Sequence, residues 1–140
     1  MPDTERHAFL EVALGRAEQA EAKYRSLVEL IQAITYTEEV DSLRTFAVSP
    51  QIETILGYTQ EEWMGDANLW IHCIHPDDRD RVVAACELAN RARESYREEY
   101  RIVSRDGRIV WIHDEAVLVR DSNGRPLCWQ GVMSVITPHE

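Results

Sequence analysis

Five potential ligands or proton carriers fall close together in this chain: His72, Cys73, His75, Asp77 and Asp78. Imidazole is the usual axial donor to haem and a common metal ligand, so His72 or His75 could in principle serve either. The same residues also read as a helix opening. Pro76 restricts His75 to an extended backbone, and Asp77 is placed to cap the helix that follows. Capping is the stronger reading, and no metal site is expected. Cys73, Cys86 and Cys128 lack metal-finger spacing and read as three reduced thiols of a cytosolic protein, with Cys86 and Cys128 filling core volume.

Two carboxylate pairs, Glu98-Glu99 and Asp114-Glu115, invite an acid–base reading. Neighbours on a strand point to opposite faces, so neither pair shares a site by itself, and solvated sheet surface is the expectation for both. No Ser-His-Asp order, glycine-rich phosphate loop or activated nucleophile accompanies them. Enzyme activity is therefore not expected of this chain.

Composition narrows the partners. The 140 residues suit one domain with an appendage, and 44% hydrophobic content is enough to bury a core. No run approaches a membrane span, and the charged stretch from Met1 to Glu11 is unlike a secretory signal. Fifteen Lys and Arg against 25 Asp and Glu give a net charge of −10, which repels phosphate backbones and argues against nucleic acid.

The elements that must position these residues are legible in outline. Between about Glu5 and Ile31, Leu10, Leu14, Ala17, Glu21, Tyr24, Val28 and Ile31 recur at alternating spacings of four and three. The spacing predicts a helix over residues 1–32 whose last turns, Tyr24 to Ile31, lie on the domain's own sheet. Its earlier part, Leu10 to Ala17, overhangs and seeks a partner helix, which predicts a homodimer. Ile34 to Thr37 and Thr45 to Val48 read as short strands. Ser49 is placed to cap a helix beginning at Pro50, Gly57 ends that helix, and Thr59 with Glu62 forms a capping box for the next. A longer helix runs from Asp77 to about Ala92, with Val82, Val83, Cys86 and Ala89 or Asn90 on one face. Beyond Tyr96, three β-rich segments are separated by a tight turn at Asp106-Gly107 and a looser reversal at Asp121 to Pro126, predicting an antiparallel meander. The sum is an α+β domain, a five-stranded antiparallel sheet with its helices on one side. Thr137-Pro138-His139-Glu140 is itself a helix opening, so residues 138–140 are expected to begin an output helix of a longer protein.

Five short motifs occur in one order across this span: Ser49-Pro50-Gln51-Ile52, Gly57-Tyr58-Thr59, His75-Pro76-Asp77-Asp78, Arg105-Asp106-Gly107 and Trp129-Gln130-Gly131. Together they resemble the PAS domain with its PAC-type C-terminal motif, covering residues 33–137. The resemblance implies strand order 2-1-5-4-3 and a sensory or dimerising module without catalysis of its own. It also implies a covalently attached effector, such as a histidine kinase or a cyclic-dinucleotide enzyme, in a two-component or diguanylate cyclase type of signalling protein.

In such domains a small organic ligand can occupy the space between sheet and long helix. The residues expected to face it here are Tyr36, Val48, Ile52, Leu56, Trp70, Ile74, Val83, Cys86, Tyr100, Ala116 and Val132. The alternatives are an occupied pocket and a dry core in which these side chains close on each other. No cofactor is required. Haem-binding relatives often take a histidine from the long helix, which has none here. The flavin photosensors need a cysteine in an Asn-Cys-Arg setting, and Cys73 lies between His72 and Ile74 instead. Neither haem nor flavin is expected.

Overall fold

The structure, a computed structural model, describes residues 18–20, 22 and 32–137. Residues 18–20 and 22 are helical. The dimer-helix residues Leu10, Leu14, Ala17, Tyr24, Val28 and Ile31, and the output-helix segment 138–140, lie outside the described residues.

Nine elements follow from Gln32 onward: β1 (Ala33–Glu38), β2 (Thr45–Val48), α1 (Gln51–Leu56), α2 (Gln60–Gly65), α3 (Leu69–Cys73), α4 (Pro76–Ala92), β3 (Tyr96–Val103), β4 (Ile109–Arg120) and β5 (Pro126–Val135). The strands form one antiparallel sheet in the order β2-β1-β5-β4-β3, as the resemblance implied. The outermost strands in sequence, β1 and β5, are therefore neighbours at its centre. Ala33 stands opposite Ser134, so the domain's entry and exit lie side by side.

Alternation decides what each strand buries. Tyr96, Tyr100 and Ile102 on β3, Val110, Ile112, Asp114 and Ala116 on β4, and Trp129, Gly131 and Met133 on β5 are all buried. On the other face Val117 and Val132 stay exposed. Ile52 and Leu56 of α1, Trp63 of α2, Cys73 and Ile74 of α3 and its cap, and Val82 of α4 close over the inner face.

Both hairpins of the meander use the same device, where two different turns were expected. Ser104 accepts from the Gly107 N–H and its own N–H reaches the Arg108 carbonyl, while the Ser104 hydroxyl accepts from the Arg108 N–H. Asp121 repeats each of these contacts with Gly124 and Arg125. Only the glycines take positive φ, 86° at Gly107 and 79° at Gly124; Asp106 does not.

The helix starts also differ from expectation. Ser49 does not cap α1. Its hydroxyl accepts the Thr35 N–H at 2.9 Å and so ties β2's end to β1. For α4 the cap is His75, whose Nδ1 accepts the Asp77 N–H, with Pro76 as the first helical residue. Asp78, one turn in, turns back to the sheet edge. It accepts from the Arg101 backbone N–H and holds the Arg101 guanidinium by both carboxylate oxygens, at 2.7 and 2.9 Å. The His75 N–H covers the Arg101 carbonyl. The His-Pro-Asp-Asp segment thus closes the open edge of β3, which would otherwise present unpaired backbone groups. Arginine beside it holds the Asp78 carboxyl down at about 2.

Candidate functional site: a cavity over a buried carboxylate

Between the inner sheet face and the helices lies a cavity of about 60 Å³, room for about four waters or a ligand of a few heavy atoms. Its floor is sheet: Tyr36 and Glu38 of β1, Tyr96 of β3, Asp114 and Ala116 of β4, Trp129 and Met133 of β5. Cys86, Ala89 and Asn90 of α4 form one wall, and Trp63, Met64 and Trp70 of α2 and α3 form another. Exposed Arg44, Asp66 and Ala67 stand at the rim, so the mouth opens between the β1–β2 turn and the end of α2.

At the floor sits Asp114, 2% exposed. Solvated surface was the expectation for it, and burial overturns that. Its neighbours in alternation, Ile112 and Ala116, both face the core, and Asp114 goes with them. Tyr36 donates to one carboxylate oxygen at 2.5 Å and Tyr100 to the other at 2.7 Å. Trp70 in turn donates its indole N–H to the Tyr100 oxygen at 2.9 Å. This chain of donors stabilises a buried anion, yet desolvation prevails and lifts the Asp114 carboxyl to about 6. The Glu38 carboxyl has no hydrogen-bond partner among the described residues. Burial and the nearby Asp114 charge push it up to about 8. Desolvation first, then the same acidic surroundings, raise Cys86 to about 12 and Tyr96 above its ordinary range. These thiol and phenol groups stay protonated at neutral pH.

Asn90 links the cavity to its mouth. It accepts from the Trp129 indole N–H at 2.8 Å, donates to the Asp41 carbonyl and accepts the Asp41 N–H. Arg93 reaches the Asp41 carboxylate at 2.9 Å. The end of α4 therefore pins a β1–β2 turn that contains two residues of positive φ, Asp41 and Leu43.

Of the residues expected to face the pocket, Tyr36, Trp70, Cys86 and Ala116 line it. Tyr100 lies beneath, touching the site through its hydroxyl. Val48, Ile52, Leu56 and Ile74 are packed core away from the cavity, with Val83 beside them. Val132 faces the opposite side of the sheet and is 40% exposed, because Trp129, Gly131 and Met133 take the inward register of β5. Sequence reasoning missed Asp114, Glu38, Tyr96, Trp63 and Asn90. The period-two pattern of β4 was the available signal for Asp114; nothing local marks Glu38, since it closes a strand amid acidic neighbours. Among the described residues no group of three His, Cys, Asp or Glu could hold a metal ion.

Residues 45–133 match the family described as the PAS fold. The chain belongs to the PAS family. The N-terminal domain of a diguanylate cyclase with PAS/PAC sensor from Marinobacter aquaeolei shares this PAS architecture with a TM-score of 0.65 and 32% identity, over 72% of this chain and 92% of that one. A two-component sensor of Pseudomonas aeruginosa is 31% identical over 120 residues, 79% of this chain. A methyl sulfide methyltransferase-associated sensor of Methanosarcina acetivorans is 30% identical over 83 residues, 59% of this chain. The PAS chain spans only 12% and 8% of those two relatives' lengths. Among the described residues no helix is long and apolar enough to cross a membrane.

Proposed function

We propose that this PAS domain is the cytoplasmic sensory module of a larger signal-transduction protein, a two-component sensor kinase or a cyclic-dinucleotide enzyme. In this reading it forms a homodimer through its N-terminal helix and leaves catalysis to an attached effector. An occupant of the core cavity that prefers one arrangement of sheet and α4 shifts the population of that arrangement. The shift reaches the flanking helices through β1 and β5, which carry the chain in and out side by side. The relatives' descriptions as sensors and the shared architecture support the module.

One observation carries the ligand-binding reading. Tyr96 lines the cavity, and its hydroxyl is buried without a hydrogen-bond partner among the described residues. An unmatched buried polar group is costly, and one on a cavity-lining residue can be relieved by a molecule bound there. Against this stands a ligand-free dimerisation scaffold, favoured by the small volume and by Asp114 being satisfied from within. Native mass spectrometry of the purified chain separates the two. The sensory reading expects a retained small molecule that is lost in Cys86→Leu, which fills the cavity from α4. A bare polypeptide mass, in wild type as well as after incubation with cell extract small molecules, would favour the scaffold.

A further inference from the structure

The cavity's chemistry defines its occupant more closely, given the sensory reading above. Two carboxyl groups, Glu38 and Asp114, line one small volume, and among the described residues neither forms an ion pair, the adjacent His113 being paired with Glu99 and Glu115. The nearby arginines are committed elsewhere: Arg44 to Glu39 at 2.8 Å, Arg93 to Asp41, Arg81 to Glu98. The indole N–H groups of Trp70 and Trp129 are likewise spent on Tyr100 and Asn90. What these tryptophans and Trp63 can still offer is ring surface, which attracts cations. Each Asp114 oxygen accepts one tyrosine hydroxyl and keeps a further lone pair. Independently of the acids, Tyr96 of the same cavity has a buried hydroxyl without a hydrogen-bond partner among the described residues.

We propose that the cavity receives a small protonated amine, its ammonium group held by the Glu38 and Asp114 carboxyls and the Tyr96 oxygen among the tryptophan rings. A cation supplies the missing counter-charge, and an ammonium N–H satisfies the orphan oxygen. An anion meets two carboxyls, and a neutral ligand leaves the acids uncompensated. Both carboxyls are held partly protonated near neutrality, so uptake of the amine releases protons and strengthens as pH rises. The titratable or charged groups around them are Tyr36 on β1, Arg44 at the rim, Asp66 after α2, Cys86 on α4, Tyr96 and Tyr100 on β3, and His113 beside Asp114 on β4. An alkylammonium stays protonated across this range.

The test uses the whole chain, unfolded and refolded to strip any retained molecule, and follows the Trp70 and Trp129 indole N–H resonances. The probes are methylammonium, tetramethylammonium, tert-butyl alcohol and acetate, each at pH 5.5 and pH 8.5. Methylammonium should bind at least about tenfold tighter at the higher pH, a difference of ~1.4 kcal/mol, and tighter than the alcohol or acetate. Glu38→Gln should remove most of the pH dependence. Tetramethylammonium, which has no N–H, should bind more weakly than methylammonium, and Tyr96→Phe should narrow that gap. Equal binding of the neutral alcohol, or affinity independent of pH in wild type, would overturn the amine assignment. A retained molecule that is not an amine would overturn it too while leaving the sensory reading intact. Failure of every probe together with a bare polypeptide mass would remove both.

Discussion

The Tyr36 ring lies against the backbone of Gly131, so close that a Cβ added there would stand 2.1 Å from the Tyr36 Cζ atom. The two residues are direct partners across β1 and β5. Only a residue without a side chain lets the ring cross the central strand to Asp114 on β4. Glycine at this point of the Trp-Gln-Gly motif is thus a requirement of the buried carboxylate rather than of a turn.

Gly131→Ala should displace Tyr36 from Asp114 and destabilise the domain by roughly 2–4 kcal/mol, combining overpacking with a lost buried hydrogen bond. Urea denaturation measures it. Pairing the change with Tyr36→Ala should recover part of the loss, because the clash then has no second member. A full additive loss in the double variant would contradict this close approach.

Asp114→Asn keeps one acceptor and removes a charge whose burial is costly, so its effect should be small, about 1 kcal/mol or less at pH 8. Asp114→Ala leaves two tyrosine hydroxyls without their acceptor and should lose about 2–4 kcal/mol. Equal losses in the two variants would mean that the charge, not the acceptor geometry, is what the site needs.

The pH profile follows from the signs of the shifts. Glu38 rises from 4.5 to about 8 and Asp114 from 3.8 to about 6 on folding. The folded state then binds more protons than the unfolded chain between those limits, so stability falls as pH climbs from about 4 to about 8. Asp78 acts in reverse, its stabilisation fading as pH drops from 3.8 toward 2. The melting temperature should therefore peak near pH 4–5. Glu38→Gln should flatten the decline above pH 6; an unchanged slope in that variant would place the burial penalty elsewhere.

Asn90→Ala removes the acceptor of the Trp129 indole and both of its bonds to the Asp41 backbone. The cost should be about 2 kcal/mol. Amide exchange should quicken in the turn 39–44 at the cavity mouth while the Ser104–Arg108 hairpin keeps its protection. Uniform acceleration across the sheet would show that Asn90 supports the core generally rather than the mouth.

Much of this was legible in the chain. Strand periodicity and the turn residues at Gly107 and Gly124 locate the meander, and the Thr59–Glu62 capping box forms as spaced. Three features were not, each for a physical reason. Val132 looked like core because it is apolar and β-branched, but the register of β5 is set by Trp129 and Met133 with glycine between them. Asp114 looked solvated because a lone carboxylate is rarely buried, and its partners Tyr36 and Tyr100 lie 78 and 14 residues away. Ser49 and Asp78 were placed as local helix residues, whereas each side chain turns to a strand distant in sequence, at Thr35 and Arg101.

In the proposed mechanism the state of the cavity reaches the chain's entry and exit through the paired strands β1 and β5. Hydrogen–deuterium exchange on the protein with its cavity occupied and again after stripping by refolding tests it most directly. Altered protection is expected at 32–34 and 134–136, where the Val135 N–H meets the Gln32 carbonyl, with the Ser104–Arg108 hairpin unchanged. Altered protection confined to the cavity mouth, with both strand ends unaffected, would contradict it.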